Sequence, residues 1–197
     1  MHGYISGLTI ILLLSGCAAL PPPHDFVPDQ IRATNHQIMG ILDSVTVLSK
    51  QTIVVTTSSG VQLTGAAYPE RHDVRRNKMF DEWESAVKIA VENGKIFSAH
   101  GKALSLVITL QNMNQTGFGS KADTKISAQY QLSVKESREI VFDEVIKSET
   151  TATMSDAIVG GVRGQIALNR AVQHNIKSFI QSIEAASRDG KLHLIGR

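Results

Sequence analysis

The sequence predicts an α+β domain, with a mostly antiparallel sheet of four to five strands and two helices packed on one face of it. Segments in the middle of the chain alternate apolar and polar residues, as strands with one buried face do. Two other segments repeat apolar residues every three or four positions, which is the spacing of amphipathic helices. The predicted order is one or two strands, a helix, three strands and a final helix, without an internal repeat.

The first strands and the first helix are predicted between residues 43 and 94. Residues 43–63, DSVTVLSKQTIVVTTSSGVQL, are rich in Val, Thr and Ile, which favours one or two strands. A polar loop over 68–78 follows, and the helix is expected to begin near a capping Asn77 and to stop at Gly94. Its predicted apolar stripe consists of Phe80, Trp83, Val87, Ala90 and Val91.

The central strands show the clearest pattern of the chain. The segment ALSLVITLQ, 103–111, alternates, and KISAQYQLSVK, 125–135, alternates without interruption. A short connection leads into IVFDEVIKSETTATM, 140–154, so the last two strands are predicted to form an antiparallel hairpin. In the second of these three segments the apolar face carries Ile126, Ala128, Tyr130, Leu132 and Val134, and the polar face carries Ser127, Gln129, Gln131 and Ser133.

The final helix is predicted within 155–190 and ends at Asp189-Gly190. Its glycine-rich start, GGVRGQ over 160–165, has two interpretations. The glycines allow the helix and the sheet to approach closely. Alternatively, the exposed amides and Arg163 bind an anion. The apolar stripe consists of Val162, Ile166, Val172, Ile176, Phe179, Ile180 and Ile183.

The N-terminal segment predicts export and a lipid anchor. The apolar run from Leu8 to Leu14 is too short to cross a bilayer, which needs roughly 20 apolar residues, but it suits a secretory signal. The residues that follow it, Leu14, Ser15, Gly16 and Cys17, resemble a bacterial lipobox. That resemblance implies cleavage between Gly16 and Cys17 and attachment of fatty acyl chains, such as palmitate, at Cys17.

These features predict the organisation of the chain. Residues 1–16 are the signal peptide, 17–30 the lipidated cysteine and a Pro-rich tether, 31–190 a single periplasmic domain, and 191–197 a C-terminal tail. The alternative for the Pro-rich stretch is an ordered arm that lies on the domain. Ala18 stands where lipoproteins retained at the inner membrane carry aspartate, so the resemblance implies the outer membrane, with the domain facing the periplasm. Since Cys17 is the single cysteine, no disulfide is expected.

Composition and spacing argue against several classes of function. A formal charge of +2 without a basic tail does not predict nucleic-acid binding. The seven histidines form no His-Glu-x-x-His motif, and there is no cysteine pair, so neither a metal site nor a cofactor is predicted. His24 and Asp29 have the His-x4-Asp spacing of some acyltransferases, but they lie in the predicted tether, which lacks the support that catalysis needs.

Two regions are candidates for a contact surface. The loop cations Arg71, Arg75 and Arg76, with Lys78, suit lipid phosphates or an acidic partner. The polar sheet face, represented by Gln129 and Gln131, suits a partner that binds through hydrogen bonds. Trp83 is expected in the core, and it becomes an interaction anchor if it is exposed.

In outline the chain resembles the small proteobacterial envelope lipoproteins of the YajG-like kind. The stretches that carry the resemblance are LSGCA, SAQYQLSVK with the strand after it, and SDAIVGGVRGQIALNRAVQHNI. It implies a membrane-anchored, non-enzymatic accessory or scaffold component of the cell envelope, with an envelope protein as partner. The alternatives are a periplasmic carrier of a lipid or other apolar ligand, and an envelope enzyme that modifies lipid or glycan.

Overall fold

The computed structural model describes residues 24–34, 37–49, 53–56, 62–65, 78–116 and 120–192, with backbone alone for 53–56 and 62–65. Strands and helices follow the predicted order, and the α+β class is confirmed. In chain order the elements are β1 (Ile41–Ser49), β2 (Ile53–Thr56), β3 (Gln62–Gly65), α1 (Lys78–Asn93), β4 (Ala103–Thr116), β5 (Lys121–Val134), β6 (Ile140–Thr153) and α2 (Gly160–Arg188).

The described strands form one six-stranded mixed sheet around β4. On one side β4, β5 and β6 pair in antiparallel fashion, and the predicted β5–β6 hairpin runs from Lys121–Thr153 to Ser133–Ile140. On the other side β1 and β2 both run parallel to β4, and β3 pairs with β2 in antiparallel fashion. β1 pairs with 103–110 and β2 with 114–116, so the two lie in line along the same edge of β4. The strand beyond the predicted four to five is β3, which pairs with β2 at the edge of the sheet.

Both helices pack on the same face of the sheet and enclose the core. In β5 the even-numbered side chains from Ala122 to Val134 are buried against them, as the alternation predicts. Trp83 of α1 and Phe179 of α2 are fully buried, so Trp83 belongs to the core and is not an exposed anchor. Such large aromatic side chains contribute much of the apolar area that stabilises a small domain.

A buried polar network joins β5, β6 and α2. The Tyr130 hydroxyl donates to Asn175 Oδ1 at 2.9 Å, while Asn175 Nδ2 lies 3.1 Å from the Ile146 carbonyl oxygen and 3.2 Å from Ser148 Oγ. Ser148 Oγ in turn donates to the Ala171 carbonyl at 2.8 Å. Burial raises the pKa of Tyr130, and the Trp83 indole beside it offsets the rise in part. This network fixes the register of α2 on the sheet, since a buried polar group without a partner is costly.

Residues 24–30, predicted as tether, lie on the domain from His24 onward. Phe26 is fully buried and meets Trp83 edge to face, with 6.3 Å between ring centroids. Gln173 Nε2 donates to the Asp25 carbonyl at 2.9 Å, so α2 also holds this arm. The tether therefore ends earlier than the sequence predicts, because one aromatic side chain gains more from burial than an extended segment does from hydration.

The chain after the arm runs beside the turn that follows α1. The Thr34 amide donates to the Gly94 carbonyl at 2.9 Å and the Ile38 amide to the Ile96 carbonyl at 2.8 Å. The helix ends at Asn93, as the Gly94 stop predicts, although Lys95 takes the left-handed conformation, with φ of 49°. Near the C-terminus, Leu192 of the predicted tail is buried in the same core.

Candidate interaction surface

The side of the sheet that faces away from both helices is a broad polar surface, hereafter the open face. It is built from the odd-numbered side chains of β5, Ser127, Gln129, Gln131 and Ser133, which are half-buried. Strand β6 contributes Lys147, Val145 and Asp143, which the antiparallel register places opposite Ser127, Gln129 and Gln131, and Glu149, which lies opposite Lys125. Within the described ranges no helix packs on this side, so the predicted polar face is present and accessible.

Hydrogen bonds between strands order the side chains of the open face. Asp143 accepts from Gln129 Nε2 through Oδ1 at 2.7 Å and from Gln131 Nε2 through Oδ2 at 3.1 Å. Farther along the same strands Lys125 Nζ lies 2.7 Å from Glu149 Oε1. The two glutamine side chains are therefore held in fixed positions, with their amide oxygens left to accept hydrogen bonds from another molecule.

An open groove of about 600 Å³ crosses the open face where β4 carries a bulge between Leu110 and Asn112. Lys125, Lys147 and Glu149 line it together with Gln111 and Ser127. The hydrogen bond to Glu149 and its negative charge raise the pKa of Lys125, so this amine stays charged. Charges of both signs thus alternate along the groove, an arrangement that suits a polar peptide surface better than a single anion or cation.

Lys78, the described member of the predicted basic region, does not lie on the surface that carries Gln129 and Gln131. Gln129 and Gln131 lie on the open face, whereas Lys78 begins α1 in the helix layer and lies 3.5 Å from Glu82 Oε1. The other predicted cations, Arg71, Arg75 and Arg76, fall outside the described residues. So do all four lipobox residues, Leu14, Ser15, Gly16 and Cys17.

In the structure His24 contacts the carboxylate of Glu82, whereas the His-x4-Asp spacing suggests Asp29. His24 Nδ1 lies 2.6 Å from Glu82 Oε2, and its ring centroid is 5.4 Å from that of Phe26. Asp29 is an exposed residue of the arm. Among the described residues, no three or more His, Cys, Asp or Glu side chains are grouped so that they could hold a metal ion.

Arg163 stabilises the loop before α2. Its side chain is 3% exposed, and Nη1 donates to the carbonyl oxygens of Ala157 at 2.7 Å and Ile158 at 2.5 Å. These bonds direct the guanidinium into the protein, away from an external anion. The packing interpretation of the glycines is also wrong for Gly161, because a Cβ there would meet nothing within 4 Å.

The structure differs from the favoured interpretation of the sequence at two features. The docked arm, the alternative to a free tether, had one signal, the aromatic residue Phe26 three positions after the last of the three prolines. The second feature is a set of exposed aliphatic side chains, Met154, Ile158 and Val159, between β6 and α2. Its signal was an apolar pair before two glycines, which was instead assigned to the helix start.

Comparison with known proteins supports the fold more than it defines a family. No family model matches the chain, and no curated protein matches it by sequence. The crystal structure of protein XCC0632 of Xanthomonas campestris, described as DUF330, is similar with a TM-score of 0.53 at 12% identity, covering 84% of this chain and 94% of that one. At such identity the likeness concerns the fold alone.

Two further solved structures are more distant. A candidate lipoprotein of Caulobacter crescentus has a TM-score of 0.44 at 8% identity, covering 68% of this chain and 90% of that one. A minor lipoprotein of Acinetobacter baumannii has a TM-score of 0.40 at 12% identity, covering 71% and 93%. In the described part of the chain, no helix combines the length and apolar character needed to cross a membrane.

Proposed function

We propose that this chain is a bacterial lipoprotein, anchored through Cys17, that acts without catalysis as an accessory or scaffold component of the cell envelope. An envelope protein binds to the open face. The observation that carries the proposal is the ordered polar surface on which Asp143 holds Gln129 and Gln131. Side chains fixed in this way lose little conformational entropy when a partner binds, which favours recognition.

The anchor is supported by the lipobox at Leu14–Cys17 and by the place where the arm begins to dock. The described arm packs on the domain from His24 onward, so the proposed tether ends before His24 and is shorter than the sequence alone predicts. Two or more acyl chains hold a protein stably on a membrane. Ala18 after the cysteine favours the outer membrane, with the domain in the periplasm.

A non-catalytic role is supported by the hydrogen bonds and ion pairs that polar side chains form with their neighbours. Asp143 and Glu149 on the open face are engaged by neighbouring side chains, and Arg163 and Asn175 serve the interior of the fold. Large side chains such as Trp83 and Tyr130 fill the space between sheet and helices. A binding role is therefore favoured over a carrier or an enzyme, and nucleic acid is not the expected partner.

The partner surface is tested by site-specific photocrosslinking in the native host. A photoreactive residue replaces Gln131 on the open face, and the matched control replaces Lys88, an exposed residue of α1 in the helix layer. We expect a discrete protein adduct from position 131 that Asp143→Lys abolishes. Equal adducts from both positions, or an adduct that survives Asp143→Lys, would contradict an interface on the open face.

The anchor is tested separately with Cys17→Ser. The wild-type protein should lose residues 1–16, gain the mass of its acyl chains and sediment with the outer membrane, and the variant should do none of these. A wild-type protein without acyl mass would remove the anchor and the location, while the crosslinking result would stand independently.

A further inference from the structure

Three apolar side chains on one short loop of the domain are unusually exposed. Ile158 is 83% exposed, Val159 63% and Met154 56%, on the loop between β6 and α2. We call these three residues the apolar tip. Scattered apolar residues on a surface are ordinary, whereas a contiguous exposed group marks a contact with another apolar phase.

The loop that carries the apolar tip is held by hydrogen bonds. Arg163 Nη1 donates to the Ala157 and Ile158 carbonyls at 2.7 and 2.5 Å. Asp156 accepts from the Thr153 amide at 2.8 Å and from Arg170 Nη2 at 2.6 Å. These two partners, Arg170 foremost, lower the pKa of Asp156 to about 2, so the carboxylate remains ionised and paired at neutral pH.

The charge around the apolar tip suits a lipid surface. From Thr153 to Val162 the single charged residue is Asp156, which Arg170 neutralises. Lys121 is exposed and pairs across the β5–β6 ladder with Thr153, the residue directly before Met154, so a positive charge is available to lipid phosphates at this end of the sheet. The tip itself carries none of the Trp, Tyr or Arg residues that dominate the energetics of protein interfaces.

The number of residues between Cys17 and the docked arm is sufficient to reach the level of the apolar tip. The arm is held at Gln173, and the 14 helical positions between Val159 and Gln173 correspond to about 20 Å along α2. An extended Pro-rich stretch from Cys17 to His24 also spans about 20 Å. An acyl chain at Cys17 and the apolar tip can therefore enter the same membrane surface.

We propose that the apolar tip inserts into the lipid surface to which Cys17 is anchored, so that the domain has a defined orientation on the membrane. The inference rests on the proposed lipid anchor. Three aliphatic side chains bind a membrane only weakly by themselves, but the tether gives them a high effective concentration at its surface. The tip orients the domain, while the acyl chains retain it.

The test uses the full lipidated chain in vesicles of phosphatidylethanolamine and phosphatidylglycerol. Since Cys17 is acylated and is the single native cysteine, Ile158→Cys introduces one free thiol for a polarity-sensitive fluorophore. The matched control is Ile89→Cys on α1, which is 39% exposed. We expect a severalfold rise in emission with a blue shift at position 158, quenching there by spin-labelled lipid, and continued quenching by aqueous iodide at position 89.

The other outcomes separate this inference from the anchor. If the labelled protein floats with the vesicles while the dye at position 158 remains open to iodide, the anchor stands and the inserted tip is wrong. Protection at position 158 that is already present without vesicles indicates a protein contact and also overturns the inference. If the full chain does not float, the anchor fails and the inference fails with it.

Discussion

The two faces of β5 differ in what their side chains accomplish, although they belong to the same 14 residues. On the inner face, Tyr130 and Leu132 are fully buried, and the Tyr130 ring stacks on Phe179 with 4.4 Å between centroids. On the open face, Gln129 and Gln131 are half-buried and bonded to Asp143. The inner face determines the fold, and the open face remains available to another molecule.

The difference lies in what each face loses when a side chain is shortened. In the close-packed interior a deletion leaves a cavity and lost contacts, which the neighbouring side chains cannot fill. On the open face water takes the place of a deleted amide. Stability and partner binding should therefore respond to different substitutions, and the following predictions test that separation.

The largest effect is expected for Trp83→Ala. Since Trp83 is fully buried between α1, the arm and the sheet, its loss should lower the free energy of unfolding by about 3–5 kcal/mol. Urea unfolding followed by circular dichroism measures this loss. The matched control, Gln131→Ala on the open face, should change stability by about 0.5 kcal/mol or less. Similar losses for both variants would contradict the distinction between the faces.

A second substitution tests whether burial of Phe26 holds the arm on the core. Phe26→Ala should lower the free energy of unfolding by about 2 kcal/mol, less than Trp83→Ala, because the arm detaches and the domain stays folded. Hydrogen exchange should then show faster exchange at Thr34 and Ile38, whose amides bond to the turn after α1. Unchanged exchange at both amides would mean that Phe26 does not hold the arm.

The buried network should behave as one unit. Tyr130→Phe leaves Asn175 Oδ1 without its hydroxyl donor and should cost about 1–2 kcal/mol. With Asn175→Leu, the double variant should lose less than the sum of the two single losses, since the groups share one hydrogen bond. Strict additivity in urea unfolding would show that the bond contributes nothing to stability.

The same tyrosine should make the free energy of unfolding depend on pH in the alkaline range. Burial raises the pKa of Tyr130 above its ordinary value, so the phenol keeps its proton in the folded protein and loses it in the unfolded chain above pH of about 10. Above that pH the unfolded state binds fewer protons than the folded state. The contribution of Tyr130 to the free energy of unfolding is therefore complete below that pH and declines above it by up to about 1.4 kcal/mol per pH unit. The stability of Tyr130→Phe, measured alongside the wild type, should fall less steeply above pH of about 10.

The smallest effect on stability is expected on the open face. Asp143→Ala removes the acceptor shared by Gln129 and Gln131 and should change the free energy of unfolding by about 0.5 kcal/mol or less. The same variant should nevertheless weaken the crosslink from position 131, because Asp143 no longer holds the neighbouring Gln129 amide in place. A large loss of stability would indicate that the open face also supports the fold.

Elements whose apolar residues repeat at a regular spacing were predicted well. The alternation over 126–134 predicted both faces of β5, and the spacing of Phe80, Trp83 and Val87 predicted the buried side of α1. The parallel pairing of β1 and β2 with β4 was not predicted, because it depends on contacts between residues about 60 positions apart, such as Val45 and Leu106.

The candidate surfaces were predicted in part. Gln129 and Gln131 lie where the polar alternation indicates. Whether Lys78 shares their surface depends on which face of the sheet α1 packs against, which the local sequence does not specify. The role of Arg163 was not predictable either, since a short motif does not reveal which way a guanidinium turns. The apolar tip is recognised only from the solvent exposure of its three side chains in the structure, and no local sequence pattern predicts that exposure.

By itself, the sequence determined the α+β class, the helix and strand order, and the polar face of β5, because each follows from side-chain periods of two or 3.6 residues. The lipobox at Cys17 stays a prediction of the sequence alone. Tertiary structure decided that Phe26 is buried, that Gln173 holds Asp25 across 148 positions, and that Ile158 remains exposed. These outcomes depend on which distant segments meet, since burial is decided by the packing of the whole chain and not by neighbours in sequence.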